Sequence, residues 1–229
     1  ITGSTRDNFH LPPEYLQRLL SSYSENQIKA YVDGAFVNLT KGRVYDSFDR
    51  VKSNDVRTDI ANHEIVIGVD FNVSKMCAAI GARIGKEKIH WFDEVVLKDS
   101  DTFEMAEVLS RKYHGAKLYP DPSGSARHPS STRTDHAILR DAGFIVIAHK
   151  GHVPVKSRVN AMNAKFRNEQ MTVDVAKCKE CAIDLERVVW RGSDLDKRDM
   201  ARTHMSDAMG NVVEFLWPIN RGFVGSIMR

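Results

Sequence analysis

The chain has 229 residues, a formal net charge of +3 and 42% hydrophobic against 28% charged residues. That balance belongs to a globular protein with room for one large domain or two small ones. No apolar run approaches the 18 residues of a membrane-spanning helix, and the mild basicity permits nucleic-acid binding without arguing for it.

The three cysteines, Cys77, Cys178 and Cys181, are too few for a disulfide framework and point to a reducing compartment. The first residue is Ile1 with no visible signal peptide, as expected of a fragment or a processed product.

Along the chain, "LPPEYLQRLLSSY" predicts a helix opened by Pro12 and Pro13, with Ser24 capping a short second helix that ends before Gly34. "AFVNLTKGRVYDSFD" predicts two short strands turning at Gly42, and Asn54 to Asn62 reads as loop. From Ile65 three strands are expected, at 65–70, 76–83 and 88–97, as an antiparallel meander. "RIGKEK" is a hairpin turn; Glu87 stands where an ATP-binding loop needs Ser or Thr. An amphipathic helix follows, capped by Ser100 and stopped by Gly115. Then come a short strand "KLYP", a helix "TDHAILRDAG", a strand "FIVIAHK" and a basic helix "VKSRVNAMNAKFRNE". "CKECAIDLERVVW" makes a further helix, and "ARTHMSDAMGNVVEFLWP" the last. This order predicts a mixed α/β sheet flanked by helices. The single C-x-x-C has no partner pair to complete a zinc site and is read as part of an amphipathic helix.

Three acids stand out by position. Asp70 ends the apolar strand "IVIGVD", Asp121 ends "KLYPD", and Asp207 lies in the apolar last helix. A lone carboxylate at the end of a core strand is costly unless it is paired. If the first strand and "KLYPD" are neighbours, Asp70 and Asp121 open at one sheet edge and Asp207 joins them from a helix packed over it. Clustered carboxylates repel. Hard divalent cations such as Mg²⁺ or Mn²⁺ remove the repulsion, and two such ions clamp both oxygens of a phosphodiester displacement.

"IVIGVDFNVSKMCAAIG", "LYPDPSGSARH" and "HMSDAMGNVVEFL" together resemble the nuclease domain of tailed-bacteriophage terminase large subunits, a branch of the RNase H-like (retroviral integrase-like) superfamily. "TRDNFHLPPEYLQRLL" to "YDSFDR", "KSRVNAMNAKF" and "VAKCKECAIDLERVVW" are similar to further segments of that family. Ser157 departs from its pattern, which has Asp ahead of the Arg, so no local ion pair is expected there. The resemblance implies an RNase H-like mixed sheet in residues 63–217, a linker-like segment in 1–62 leading from an ATPase domain, and a tail in 218–229. It implies a metal-dependent endodeoxyribonuclease that cuts concatemeric viral DNA during packaging in the host cytoplasm. Asp70, Asp121 and Asp207 would be catalytic and hold two Mg²⁺ or Mn²⁺ ions with DNA bound. The partners would be double-stranded DNA, the ATPase domain, the small terminase subunit and the capsid portal, with no membrane and no nucleotide. The alternatives are another RNase H-like nuclease, such as a junction resolvase, and a non-catalytic domain that docks on DNA or the portal.

Other residues carry smaller expectations. No acid lies between Asp141 and Glu169, which makes Lys150, Lys156, Arg158, Lys165 and Arg167, with His149 and His152, a candidate phosphate-contacting face. His204 shares a helix face with Asp207 and is a candidate to touch a metal or orient the acid. Glu94 is read as an exposed strand residue.

Overall fold

A computed structural model of the chain describes residues 11–22, 28, 32–33, 42–72, 74–126, 133–192, 194–198 and 202–219. The meander forms as expected: β1 (Glu64–Asp70), β2 (Lys75–Ile84) and β3 (Lys88–Lys98) pair antiparallel. β2 turns into β3 at Gly85, whose positive φ of 60° suits glycine. Helix α2 (Thr102–Tyr113) leads to β4 (Lys117–Pro120), and α3 (Asp135–Asp141) to β5 (Ile145–Val146). Helix α4 (Val155–Arg167) precedes β6 (Met171–Val173). Then follow α5 (Lys179–Arg187), a hairpin of β7 (Trp190–Arg191) and β8 (Asp194–Leu195), and α6 (His204–Leu216). Near the start, α1 (Pro13–Ser22) packs on α4.

The main sheet runs β5-β4-β1-β2-β3-β6, with β4 parallel to both β1 and β5, and β6 parallel to β3. Two layers cover it, and the pleat decides which residues face each. On β1, Ile67 and Val69 join Met105, Leu109 and Leu139 of α2 and α3 in one apolar core. Val66 joins the other, with Met162, Leu185, Ala208 and Val212 from α4, α5 and α6. Gly68 and Asp70 share the face of Val66, so Asp70 is directed toward the α6 layer.

Gly68 sets how close that layer comes. A Cβ there would stand 1.9 Å from the Ala208 carbonyl oxygen. Only glycine lets the α6 backbone lie directly on β1, and α6 carries both His204 and Asp207.

Several expectations are corrected. Residues 43–49 form turns rather than a strand, with Arg43 making an isolated bridge to Val189. The Arg43 guanidinium donates to the Phe48 carbonyl at 2.6 Å and folds this segment back on itself. Val44, Tyr45 and Phe48 are buried in the α4–α6 core. Residues 35–41 and most of the predicted second helix lie outside the described residues. The cap of α2 is Asp101, which accepts from the Glu104 N–H; Ser100 donates to the Glu104 carboxylate instead. Cys178 and Cys181 are fully buried thiols at the start of α5, and burial pushes the Cys181 thiol well up.

Candidate active site

The parallel register Val69↔Pro120 puts Asp70 and Asp121 next in line at the carboxyl ends of adjacent strands. The Asp121 N–H donates to the Val69 carbonyl at 3.1 Å and ties the two ends together. A short 3-10 turn (Pro122–Ser125) then fixes Asp121: its Oδ1 accepts from the Ser123 N–H at 2.8 Å, and buried His136 donates to its carbonyl at 2.9 Å. Gly124 holds this turn against Phe71, since a Cβ there would meet the Phe71 ring at 2.4 Å.

The third acid arrives on the first turn of α6, whose start is built by a buried carboxylate. Asp184 of α5, 1% exposed, accepts from the Met205 and Ser206 N–H groups at 3.1 and 3.2 Å, and Arg202 pairs with it at 3.3 Å. Burial raises the Asp184 carboxyl to about 6, against the lowering effect of those N–H donors and Arg202. An acid capping two orphan N–H groups is a strong helix start.

On that turn, His204 Nδ1 lies 2.8 Å from Asp70 Oδ2, and its Nε2 lies 3.3 Å from Asn72 Nδ2. Asn72 Oδ1 is committed to the Ser74 N–H at 3.1 Å and hydroxyl at 2.8 Å. The Asn72 amide therefore donates to Nε2, and Nδ1 carries the proton given to Asp70. One helical turn on, Asp207 Oδ1 accepts from Arg158 Nη2 at 3.0 Å. Arg158 Nη1 stands 3.8 Å from Asp121 Oδ2 and donates to Asn211 at 3.2 Å. One guanidinium thus faces two of the three acids, and one imidazole faces the third. Burial raises the Asp207 carboxyl to about 6; Arg158 opposes the shift and the Asp70 charge adds to it. A cleft of about 230 Å³ opens here, lined among others by Asp70, Asn72, Lys197, Arg202, His204 and Asp207.

The oxygen-only donor set of the three acids suits a hard divalent ion. Among the described residues no group of three or more His, Cys, Asp or Glu side chains is gathered as for one ion. Arg158, between Asp121 and Asp207, fills the part of a counter-charge, and its buried Nε has no hydrogen-bond partner among the described residues.

The basic segment divides. Lys150 and Lys156 are exposed. Arg158 and Lys165 are buried and do not belong to an open phosphate-binding face. Lys165 donates to the Glu87 carbonyl at 2.6 Å and lies over the Trp217 ring at 4.1 Å. Half-buried Arg167 donates to the Ser47 hydroxyl at 3.3 Å. His149 faces Glu214 at 2.6 Å, and His152 is exposed. Glu94 is not a free strand residue: its carboxylate accepts from the Glu180 and Cys181 N–H groups, both at 2.9 Å, and caps α5. Sequence reasoning passed over Asn72, Asp184, Lys197 and Arg202. Arg158 could have been placed: Val155, three residues before it, and Met162, four after, lie on the same apolar face.

This sheet order, with acids at the ends of β1 and β4 and on the crossing helix, is an RNase H-like fold. Solved structures of large-terminase nucleases share it. The large terminase of a thermophilic bacteriophage matches with a TM-score of 0.71 at 17% identity, over 93% of this chain and 53% of that one. The P22 large terminase nuclease domain matches with a TM-score of 0.59 at 10% identity, over 76% and 91%. The nuclease domain of the bacteriophage SPP1 large terminase, solved with bound Mn, matches with a TM-score of 0.50 at 18% identity, over 71% and 93%. The chain spans about half the length of the thermophilic phage protein. No family model and no curated protein sequence matches it.

Proposed function

We propose that the chain is a divalent-metal-dependent DNA endonuclease, the nuclease part of a terminase large subunit that cuts concatemeric viral DNA during packaging. What supports this reading is that Asp70 and Asp121 end adjacent strands, that Asp207 shares Arg158 with Asp121, and that His204 of the same helix turn bonds Asp70. Mg²⁺ or Mn²⁺, as two ions with DNA bound, would supply Lewis acidity and an activated water. His204 orients Asp70 by donating Nδ1–H to it. Asp207 and Asp121 contribute carboxylate oxygens from a helix and a strand end, rigid elements that fix their spacing. Lys197 lines the cleft and offers a charge to a DNA phosphate, as do Lys150 and Lys156 outside it. No base-reading motif accompanies the site, in keeping with cleavage of little sequence preference. On this reading the chain acts joined to an ATPase domain, with a small terminase subunit and a capsid portal, in the host cytoplasm. Residues 63–217 would then be the nuclease and 1–62 the link to the ATPase.

The test is relaxation of supercoiled plasmid by the purified chain with Mg²⁺, Mn²⁺ or a chelator. Nicking with either ion, abolished by chelation and restored by excess metal, is expected. Nicking that persists in chelator would refute metal dependence, and no nicking under any condition would favour a docking domain.

A further inference from the structure

Arg158 does not behave as a surface cation. It is 7% exposed, and its stem is pinned by α6: a Cβ at Gly210 would lie 3.3 Å from Arg158 Cβ and 3.5 Å from its Cδ. The guanidinium is therefore delivered to a fixed place. There it donates to Asp207 Oδ1 at 3.0 Å and to Asn211 at 3.2 Å, and faces Asp121 Oδ2 at 3.8 Å. Its Nε, also buried, has no partner among the described residues. A buried guanidinium with an unsatisfied N–H is tolerated only where carboxylates compensate it. In return it compensates two acids that would otherwise repel each other.

We propose that Arg158 is the built-in counter-cation of the acid site. It is a positioning residue that faces both Asp121 and Asp207 and competes with a divalent ion for the Asp207 carboxylate. The inference rests on the endonuclease reading for the nature of the ion. The guanidinium already holds Asp207 Oδ1 and neutralises part of the carboxylate's charge, so a metal that ligates Asp207 through either oxygen binds against a cation already in place. Two consequences follow. Removing the guanidinium tightens metal binding, and it lowers the stability of the protein in chelator.

The experiment is calorimetric titration of Mn²⁺, without DNA, into the native chain, Arg158→Met, Arg158→Lys and Asp207→Asn, with melting curves of each in chelator and in saturating Mn²⁺. Arg158→Met is expected to bind Mn²⁺ about tenfold or more tightly than the native chain, melt lower in chelator, and show a wider gap between its two melting temperatures. Arg158→Lys, a point charge that cannot bridge both acids, is expected to fall between the two. Asp207→Asn is expected to lose most Mn²⁺ binding. If Arg158→Met does not fold, Arg158→Lys carries the test through its tighter Mn²⁺ binding. Equal or weaker Mn²⁺ binding in the folded Arg158 variants would overturn the inference, because the guanidinium would then be supporting the metal site. If the native chain nicks DNA with Mn²⁺ while the variants bind it unchanged, only this inference falls. If no form binds Mn²⁺ and the native chain does not nick, both readings fall.

Discussion

Gly68 of β1 lies directly under Ala208 of α6, with the Ala208 carbonyl oxygen in the space that a Cβ at Gly68 would need. Asp70 and Asp207 sit on these same two elements, two residues after Gly68 and one before Ala208. The separation of the two acids' backbones is therefore set by a contact that no side-chain rotation can relax. Gly68→Ala should cost about 2 kcal/mol or more in stability, at the upper end of overpacking effects, measured by urea denaturation. It should also reduce plasmid nicking beyond what lost stability explains, because α6 must lift off β1. Native stability together with native nicking would show that the close approach is unimportant.

Burial holds the Asp207 carboxyl at about 6, above the ordinary value of an aspartate. A group whose folded value is raised contributes stability that is fully present below its unfolded value and is lost as pH rises through the folded one. For Asp207 the window runs from about pH 4 to about pH 6. In chelator, the stability of the native chain relative to Asp207→Asn should fall across that window, by on the order of 1–3 kcal/mol. Melting curves at a series of pH values measure this; a constant difference would contradict the raised value.

Asp184 builds the start of α6 from a distance. Asp184→Ala leaves the Met205 and Ser206 N–H groups unpaired in a buried setting and takes a partner from Arg202. A loss of about 2–4 kcal/mol is expected, in the range of a lost cap combined with an uncompensated buried group. Denaturation midpoints check it. A change below about 0.5 kcal/mol, typical of surface positions, would mean that another group takes over the cap.

Lys150 and Lys156 remain as exposed cations near the start of α4, after Arg158 and Lys165 are placed inside. Neutralising both, as Lys150→Gln with Lys156→Gln, should weaken DNA binding equally for all sequences. The slope of log affinity against log salt should become shallower by up to about 2, close to one for each phosphate no longer neutralised. Filter binding of several duplexes over a salt series reads this. An unchanged slope would leave the two lysines as solvated surface, and a change in sequence preference would make them base readers.

The three acids were legible because each interrupts an apolar run. Asp70 follows "IVIGV", Asp121 follows "KLYP", and Asp207 sits among Met205, Ala208 and Met209, so their positions at strand ends and on a buried helix followed from periodicity. Arg158 and Lys165 were misplaced because a count of charge treats every cation alike, whereas their spacing from Val155, Met162 and Phe166 assigns them to the inner face of α4. The two- and three-residue strands β6, β7 and β8 are too short to show a period of two; β6 exists because it aligns with β3 through Ile89↔Met171 and its neighbours. Val44, Tyr45 and Phe48 read as strand residues from their composition. The Arg43–Phe48 hydrogen bond turns that segment and buries the same side chains another way.

The partnership of His204 with Asp70 depends on a longer chain of contacts. Ser74 fixes the Asn72 amide, Asn72 fixes the His204 ring, and the ring donates to Asp70. Only Asp70 and His204 in that chain were singled out in the sequence, since a tautomer is decided by tertiary neighbours. Asn72→Ala should leave stability within about 1 kcal/mol, the scale of a single hydrogen bond. It should lower nicking at saturating Mn²⁺ several-fold by freeing the ring to rotate. Unaltered nicking would remove Asn72 from the account.

On the proposed reading, Asp70, Asp121 and Asp207 form one metal-dependent nuclease site. The most direct measurement is the plasmid-nicking rate in Mn²⁺ of the native chain beside Asp70→Asn, Asp121→Asn and Asp207→Asn, each shown by circular dichroism to be folded. Loss of about 100-fold or more in every single variant is expected, with double variants no worse, because residues that act as a unit are not additive. Native-like nicking in any one of the three folded variants would contradict it.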